Sequence, residues 1–394
     1  MRKISANYIF TGKEILKNGI VEIDKNGKIA NIINTNGKLH EEESLEFYSG
    51  VIVPGFINAH CHIELSHMKG VIDNKTVKGL PGFINEIISK RNFPENLEER
   101  IKTADKEMQY SGIVAVGDIS NTDDSFNTKK NSKIYYHTFV ETFTISNEKS
   151  EEAFNIAKKN KNILNDLNLA GTIVPHASYT VPDILYESIS NFEKEKKKVI
   201  SIHNQESKGE DFVIQMQSGN LAEVLINKGF QFKDFTFNGN SSIEHSISHQ
   251  NKTDNILLIH NTFSSKANVE FAEDFSKNIY WVFCPLSNLY IEKTLPNLPM
   301  FFNKNVKTCI GTDSYASNTE LSILSELKTI TKHYPEISFE KLIESACING
   351  AKALNIDNKF GSIEIGKTPG INLISNFDYT KMALTSKSKV KVLI

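Results

Sequence analysis

Apolar and polar positions along the chain fall into three regimes. In the first, residues 3–53, apolar runs are short, at 4–10, 19–23 and 28–33, and the last two meet at a Lys25-Asn26-Gly27 turn. That spacing predicts short strands joined by turns. From about 52 to 355 the spacing lengthens. Apolar runs at 52–62, 113–118, 134–141, 171–176, 199–203, 256–260, 279–284 and 306–313 alternate with helical stretches, among them 97–111, 151–167, 221–228 and 339–354. Eight such units predict an α/β chain folded as a (β/α)8 TIM barrel with a packed interior. The short-strand rhythm then returns at 361–366, 371–374 and 390–394. The expected organisation is a barrel over 55–356 and a small β-sandwich built from both chain ends, 1–54 and 357–394. Segments 70–94 and 211–240 fit neither rhythm and read as loops and extra helices over the barrel mouth.

Composition adds mainly exclusions. The chain has 394 residues, 39% hydrophobic and 23% charged, as soluble enzymes do. A formal net charge of −2 argues against a nucleic-acid or lipid-surface binder and leaves a small molecule as the expected partner. The run Glu193 to Lys198 reads as a solvated helix end before a buried strand. Cys61, Cys284, Cys309 and Cys347 form no CxxC pair, which fits a reducing compartment. No apolar run approaches the roughly 20 residues of a membrane span, and the N-terminus lacks the apolar core of a signal peptide. A cytoplasmic protein is expected, and a homodimer is left open.

In a parallel barrel the active site lies at the carboxyl ends of the strands. His60 and His62 end the first run, His176 the fourth, His203 the fifth, His260 the sixth and Asp313 the eighth. Side chains alternate along a strand, so His60 and His62 share a face and can grip one metal ion, while Cys61 points away. Glu206, three residues past His203, can fold back over the same site and exchange protons with a metal-activated water. Its bland reading is a cap or a surface glutamate. Asp313 is either a ligand and proton acceptor or a turn aspartate capping the next helix. His260 and His176 are either site residues or ordinary mouth residues, and His67, His137, His245 and His249 also lie near possible strand ends.

The segments PGFINAHCHIELSHMKG, HNQES, LLIH and GTDSYASNTELSILSELK, taken together, resemble the amidohydrolase superfamily, in its metal-dependent deaminase branch with adenosine-type, guanine-type and aminofutalosine deaminases and triazine hydrolases. The likeness implies one zinc per chain, or iron, held by His60, His62, His203 and Asp313. It implies Glu206 as proton shuttle and His260 as the group that orients the water or polarises the reacting centre. The His176 loop and the segment ending in Asn288 would face the substrate. Members with two metals carry a modified lysine after the fourth strand, and no lysine lies between Ala170 and Asp183. One metal is therefore expected.

The implied chemistry is hydrolytic deamination, with Asp313 accepting a proton from the water and Glu206 protonating the ring nitrogen. Glu64, Ser66 and His67 follow the paired histidines and read as a polar pocket rim. Such a rim suits sugar hydroxyls or a purine edge, whereas a hydrophobic rim would suit a triazine. With 211–240 as a lid, an adenine nucleoside carrying an extended 5′ substituent, of the aminofutalosine or S-adenosylhomocysteine kind, is the expected substrate. The rivals are a hydrolase of a triazine, cyclic amide or imidazolone, and a catalytically silent metal-binding homologue.

Overall fold

The computed structural model describes residues 1–40, 43–92, 94–304 and 306–394. Parts of three expected segments, at 41–42, 93 and 305, lie outside the described residues. The fold is mixed α/β. Strands from both chain ends share one seven-stranded sheet, in the order Lys389–Val392, Ile371–Ser375, Leu45–Pro54, Arg2–Phe10, Ile20–Ile23, Ile29–Ile33, with Ile15–Lys17 paired to Arg2–Phe10. Ile4, Ile9, Val21, Ile23, Ile52, Ile363 and Leu373 form its own apolar cluster.

The middle of the chain supplies two four-stranded sheets. One runs Phe56–Cys61, Ile113–Ser120, Tyr135–Thr142, Ala170–Pro175, and the other Val199–Asn204, Asn255–His260, Ile279–Phe283, Thr308–Ile310. Every pairing within them is parallel. Single parallel bridges join the sheets at both seams, Ala177 to His203 and Cys61 to Asp313. The strands Phe56–Cys61, Val199–Asn204 and Asn255–His260 are buried along their whole length, which is why they read as near-continuous apolar runs. Truncating a fully buried ring such as Phe139 to alanine costs about 3–5 kcal/mol.

Several sequence readings change. The run at 52–62 is two strands broken at Gly55, where a Cβ would stand 2.4 Å from Val114 Cγ1 and 2.7 Å from the Pro369 carbonyl. The helix expected over 339–354 is two, Phe339–Ala346 and Ile348–Ala353, broken at Cys347. Residues 361–366 form no strand. They meet the sheet through the Ile363 N–H to the Thr11 carbonyl, the Gly366 N–H to the Ile29 carbonyl and the burial of Ile363 in its apolar cluster. In the 193–198 run, Lys198 is buried, and its ammonium donates to the Ile189 and Ser190 carbonyls at the end of helix Asp183–Asn191. The two irregular segments carry helices Gly79–Lys90, Lys208–Met216 and Asn220–Asn227. Among the described residues no helix is long and apolar enough to cross a membrane.

Candidate active site

The strand ends bring His60, His62, His203, His260 and Asp313 together. Ring centroids of His60 lie 4.9 Å from those of both His62 and His203, and 5.6 Å from that of His260. His62 Nε2 stands 3.3 Å from His203 Nε2. Asp313 Oδ1 is 3.7 Å from His60 Nε2 and 3.6 Å from His62 Nε2. Backbone geometry aims two of these groups. His260 and Asp313 have φ of 74° and 56°, left-handed values that are uncommon for residues other than glycine. Behind His60, a Cβ on Gly311 would come within 2.8 Å of the His60 Cβ, so only glycine leaves that ring its place.

A cation fits this cluster. His60 is fully buried, yet neither ring nitrogen has a hydrogen-bond partner among the described residues. Such an orphaned polar group is costly unless something else satisfies it. Nitrogens of His60, His62 and His203 lie within 4.8 Å of one another. Burial depresses the pKa of His60. Burial and the neighbouring His60 bring His62 down to about 4, and burial holds His260 well below the usual range. These are neutral imidazoles, the form that ligates metals. His203 goes the other way. Burial opposes its charged form, but Glu141 outweighs it and raises the pKa to about 9. Glu141 Oε1 stands 3.2 Å from His203 Nδ1, on the ring edge away from His62. The His176 carbonyl, 3.2 Å from the same Nδ1, is the hydrogen-bond partner that fixes the tautomer, and the Glu141 carboxylate acts beside it through its charge. The sequence reading passed over Glu141, although it ends the run 134–141; an acid at a strand end was the available signal.

Besides Glu141, two carboxyl groups stand at the cluster, and their pKa values are pushed in opposite directions. Burial, then the negative charge of Asp313, lift Glu206 well above the usual carboxylate range. Burial would also raise Asp313, but the His60, His62 and His260 rings outweigh it and hold that carboxyl well below its usual range. Asp313 Oδ2 is taken by the Ser287 and Ser317 hydroxyls at 2.7 and 2.5 Å, which leaves Oδ1 toward the histidines. Glu206 Oε1 lies 3.7 Å from His260 Nε2. The two carboxyl groups are thus shifted in opposite directions within one site, the kind of asymmetry that acid–base chemistry uses.

A cavity of about 530 Å³ opens above, with His62, His203, Glu206, His260 and Asp313 on its floor. Its wall is mostly apolar: Leu80, Phe83, Ile84 and Ile87 from helix Gly79–Lys90, with Phe143 and Leu225 opposite. The polar rim expected from the sequence is absent from it. Of the five residues expected to meet substrate, His176 lines the cavity, while Glu64, Ser66, His67 and Asn288 do not. The turn Ile63–Met68 is buried, and it points the first three inward. Glu64 pairs with Arg91 at 3.0 Å and accepts the Asn121 and Thr122 N–H groups, and Ser66 donates to the Ile63 carbonyl. Asn288 stands behind His260, 3.3 Å from its Nδ1, and donates to Thr262 Oγ1.

A family profile described as the Amidohydrolase family matches residues 51–392. An adenosine deaminase of Helicobacter pylori is 27% identical over 377 residues, covering 93% of this chain and 90% of the relative. A 5′-deoxyadenosine deaminase of Methanococcus maripaludis is also 27% identical, over 92% of this chain and 83% of the relative. The crystal structure of Helicobacter pylori aminofutalosine deaminase in complex with methylthio-coformycin superposes with a TM-score of 0.82 at 25% identity, over 97% of this chain and 94% of that one.

Proposed function

This chain belongs to the amidohydrolase family, and from that premise we propose that it removes the 6-amino group of an adenine nucleoside by hydrolysis, with one zinc ion held by His60, His62, His203 and Asp313. The observation that carries the reading is geometric: His60, His62 and His203 present nitrogens within 4.8 Å of one another, with Asp313 and Glu206 beside them on the floor of one cavity. The two deaminase relatives support it along nearly the whole chain. We also read the eight parallel strands as a closed barrel over 55–356 and the end sheet as part of a sandwich from 1–54 and 357–394. The parallel bridges at both seams support the closure. A cytoplasmic location completes the reading.

A divalent ion bound there supplies a Lewis acid and makes water nucleophilic at neutral pH. Asp313 accepts one proton of the attacking water and passes it to the departing amine. Glu206 gives its proton to the ring nitrogen beside the reacting carbon, then regains one from the new hydroxyl. The sum is water consumed, ammonia released and a carbonyl left on the ring. His260 stands 3.7 Å from Glu206, and Asn288 fixes His260 in turn. The apolar part of the wall takes an apolar 5′ substituent.

The test is ammonia release from adenosine, 5′-deoxyadenosine, 5′-methylthioadenosine, S-adenosylhomocysteine, guanine and a cyclic amide. The 5′-apolar nucleosides should lead and guanine should be poor. Glu206→Gln should keep zinc and lose about a hundredfold or more in turnover. The same apolar wall favours a second reading, a small alkyl-substituted triazine. Turnover of a triazine with every adenine nucleoside inert would select it.

A further inference from the structure

Resting on the reading that Glu206 moves the proton, we infer that Glu210 is the positioning residue that fixes where the Glu206 carboxyl sits. Glu210 stands at the third position of helix Lys208–Met216 and is 1% exposed. Its Oε1 accepts the Glu206 N–H at 2.7 Å and the Ser207 N–H at 3.2 Å. Its Oε2 accepts the Gln205 N–H and the Ser242 hydroxyl, each at 2.8 Å. Three successive backbone N–H groups thus converge on one carboxylate, as they do in anion-binding nests.

Ordinary helix capping explains only part of this. Ser207 is the N-cap, and its side chain with that of Glu210 forms a capping box. That motif uses the Ser207 N–H, the longest of the three backbone contacts. The two shorter ones go to Gln205 and Glu206, which precede the helix and contribute nothing to its start. Gln205 holds a left-handed φ of 45°, which turns the chain between the strand ending at Asn204 and the helix. Its side chain is pinned on the other flank, accepting the Ser264 hydroxyl at 2.6 Å and donating to Asn268 at 3.2 Å. The turn is therefore clamped from both sides at Gln205 and held by Glu210 at the backbone of Glu206, the residue that carries the proton. A displacement of about 1 Å in a reacting group costs up to about a hundredfold in rate, so such a clamp bears directly on turnover.

The experiment compares Glu206→Gln, Glu210→Gln and the double variant in the zinc-loaded full chain, with 5′-deoxyadenosine as probe. Glu210→Gln should lower kcat by about tenfold or more, with KM within about twofold and zinc content unchanged. The double variant should be no slower than Glu206→Gln beyond about twofold, because Glu210 acts through Glu206. Ser207→Ala removes the cap and not the clamp, so it should lower Tm and leave kcat within about twofold. Glu210→Asp, which withdraws the carboxylate by one methylene, should repeat the kcat loss and serves if Glu210→Gln does not fold. A Glu210 variant with near-normal kcat beside a slow Glu206→Gln overturns this inference alone, as do multiplying losses in the double variant. Near-normal turnover of Glu206→Gln removes the proton-transfer reading and this inference with it.

Discussion

On the cavity floor, the groups that would do chemistry leave the ends of parallel strands or the turns just after them: His62, His203, Glu206, His260 and Asp313. The wall above comes chiefly from helices inserted between the parallel strands, Gly79–Lys90 and Asn220–Asn227, and it is mostly apolar. The floor is laterally supported, because its residues end buried parallel strands or lie within three residues of those ends. The wall is set by how two inserted segments pack on each other and on the mouth. A fold of this kind keeps chemistry on the floor and lets the wall choose the substrate, so the two should respond to substitution in different quantities.

The largest effect should come from the floor. His60→Ala or Asp313→Ala removes a metal donor, and ammonia release should fall by more than about a thousandfold, given that partners merely standing behind a ligand are worth about ten- to hundredfold. Zinc measured after purification should drop from about one per chain toward none, while Tm in the presence of chelator stays close to that of the parent. Two tightly held equivalents in the parent would break the single-metal reading.

The wall should answer in specificity. Ile84 faces the cavity from helix Gly79–Lys90. Ile84→Glu places a charge where an apolar substituent would lie, and each methylene so displaced from apolar surroundings costs about 0.8 kcal/mol. For 5′-methylthioadenosine kcat/KM should fall by about tenfold, while adenosine changes by less than about threefold and zinc content holds. Equal losses on both nucleosides would mean that the wall does not discriminate at that position.

The same division explains what could be read from the sequence. Strand-end residues were legible because parallel buried strands leave long apolar runs, and a histidine or aspartate closing such a run stands out; His60, His62, His203, His260 and Asp313 were found this way. Glu141 closes its run as well but was not weighed as a partner of His203. Glu64, Ser66 and His67 were expected on the rim from their place after the paired histidines. Their direction depends on a buried turn and on Arg91, which is distant in sequence, and no local period encodes that. The wall was hidden for the same reason. Leu80, Phe83, Ile84 and Ile87 have helical spacing, but the face they show to a cavity is decided by tertiary packing.

The smallest expected effect belongs to Glu64, where floor and wall meet. One oxygen pairs with Arg91, just past the end of helix Gly79–Lys90, and the other accepts N–H groups from Asn121 and Thr122. Asn121 in turn donates to Glu141, the carboxylate beside His203. Glu64 thus ties the wall helix to the second layer of the floor without touching the cavity itself. Burial raises its carboxyl pKa against the opposing charge of Arg91, so the neutral amide is a tolerable replacement. Glu64→Gln keeps one acceptor oxygen for the backbone donors and loses the charge that Arg91 faces. Removing a hydrogen bond to a charged group costs about 1.5–3 kcal/mol, which should appear as a lower Tm. Arg91 and the wall helix should then sit less firmly, so KM for 5′-methylthioadenosine should rise, by no more than the tenfold that about 1.4 kcal/mol represents, since most of the loss falls on stability. Turnover and zinc content should stay near those of the parent. A loss of zinc in this variant would instead place Glu64 with the floor, acting on His203 through Asn121 and Glu141, and the boundary between the two regions would have to be redrawn on the far side of this residue.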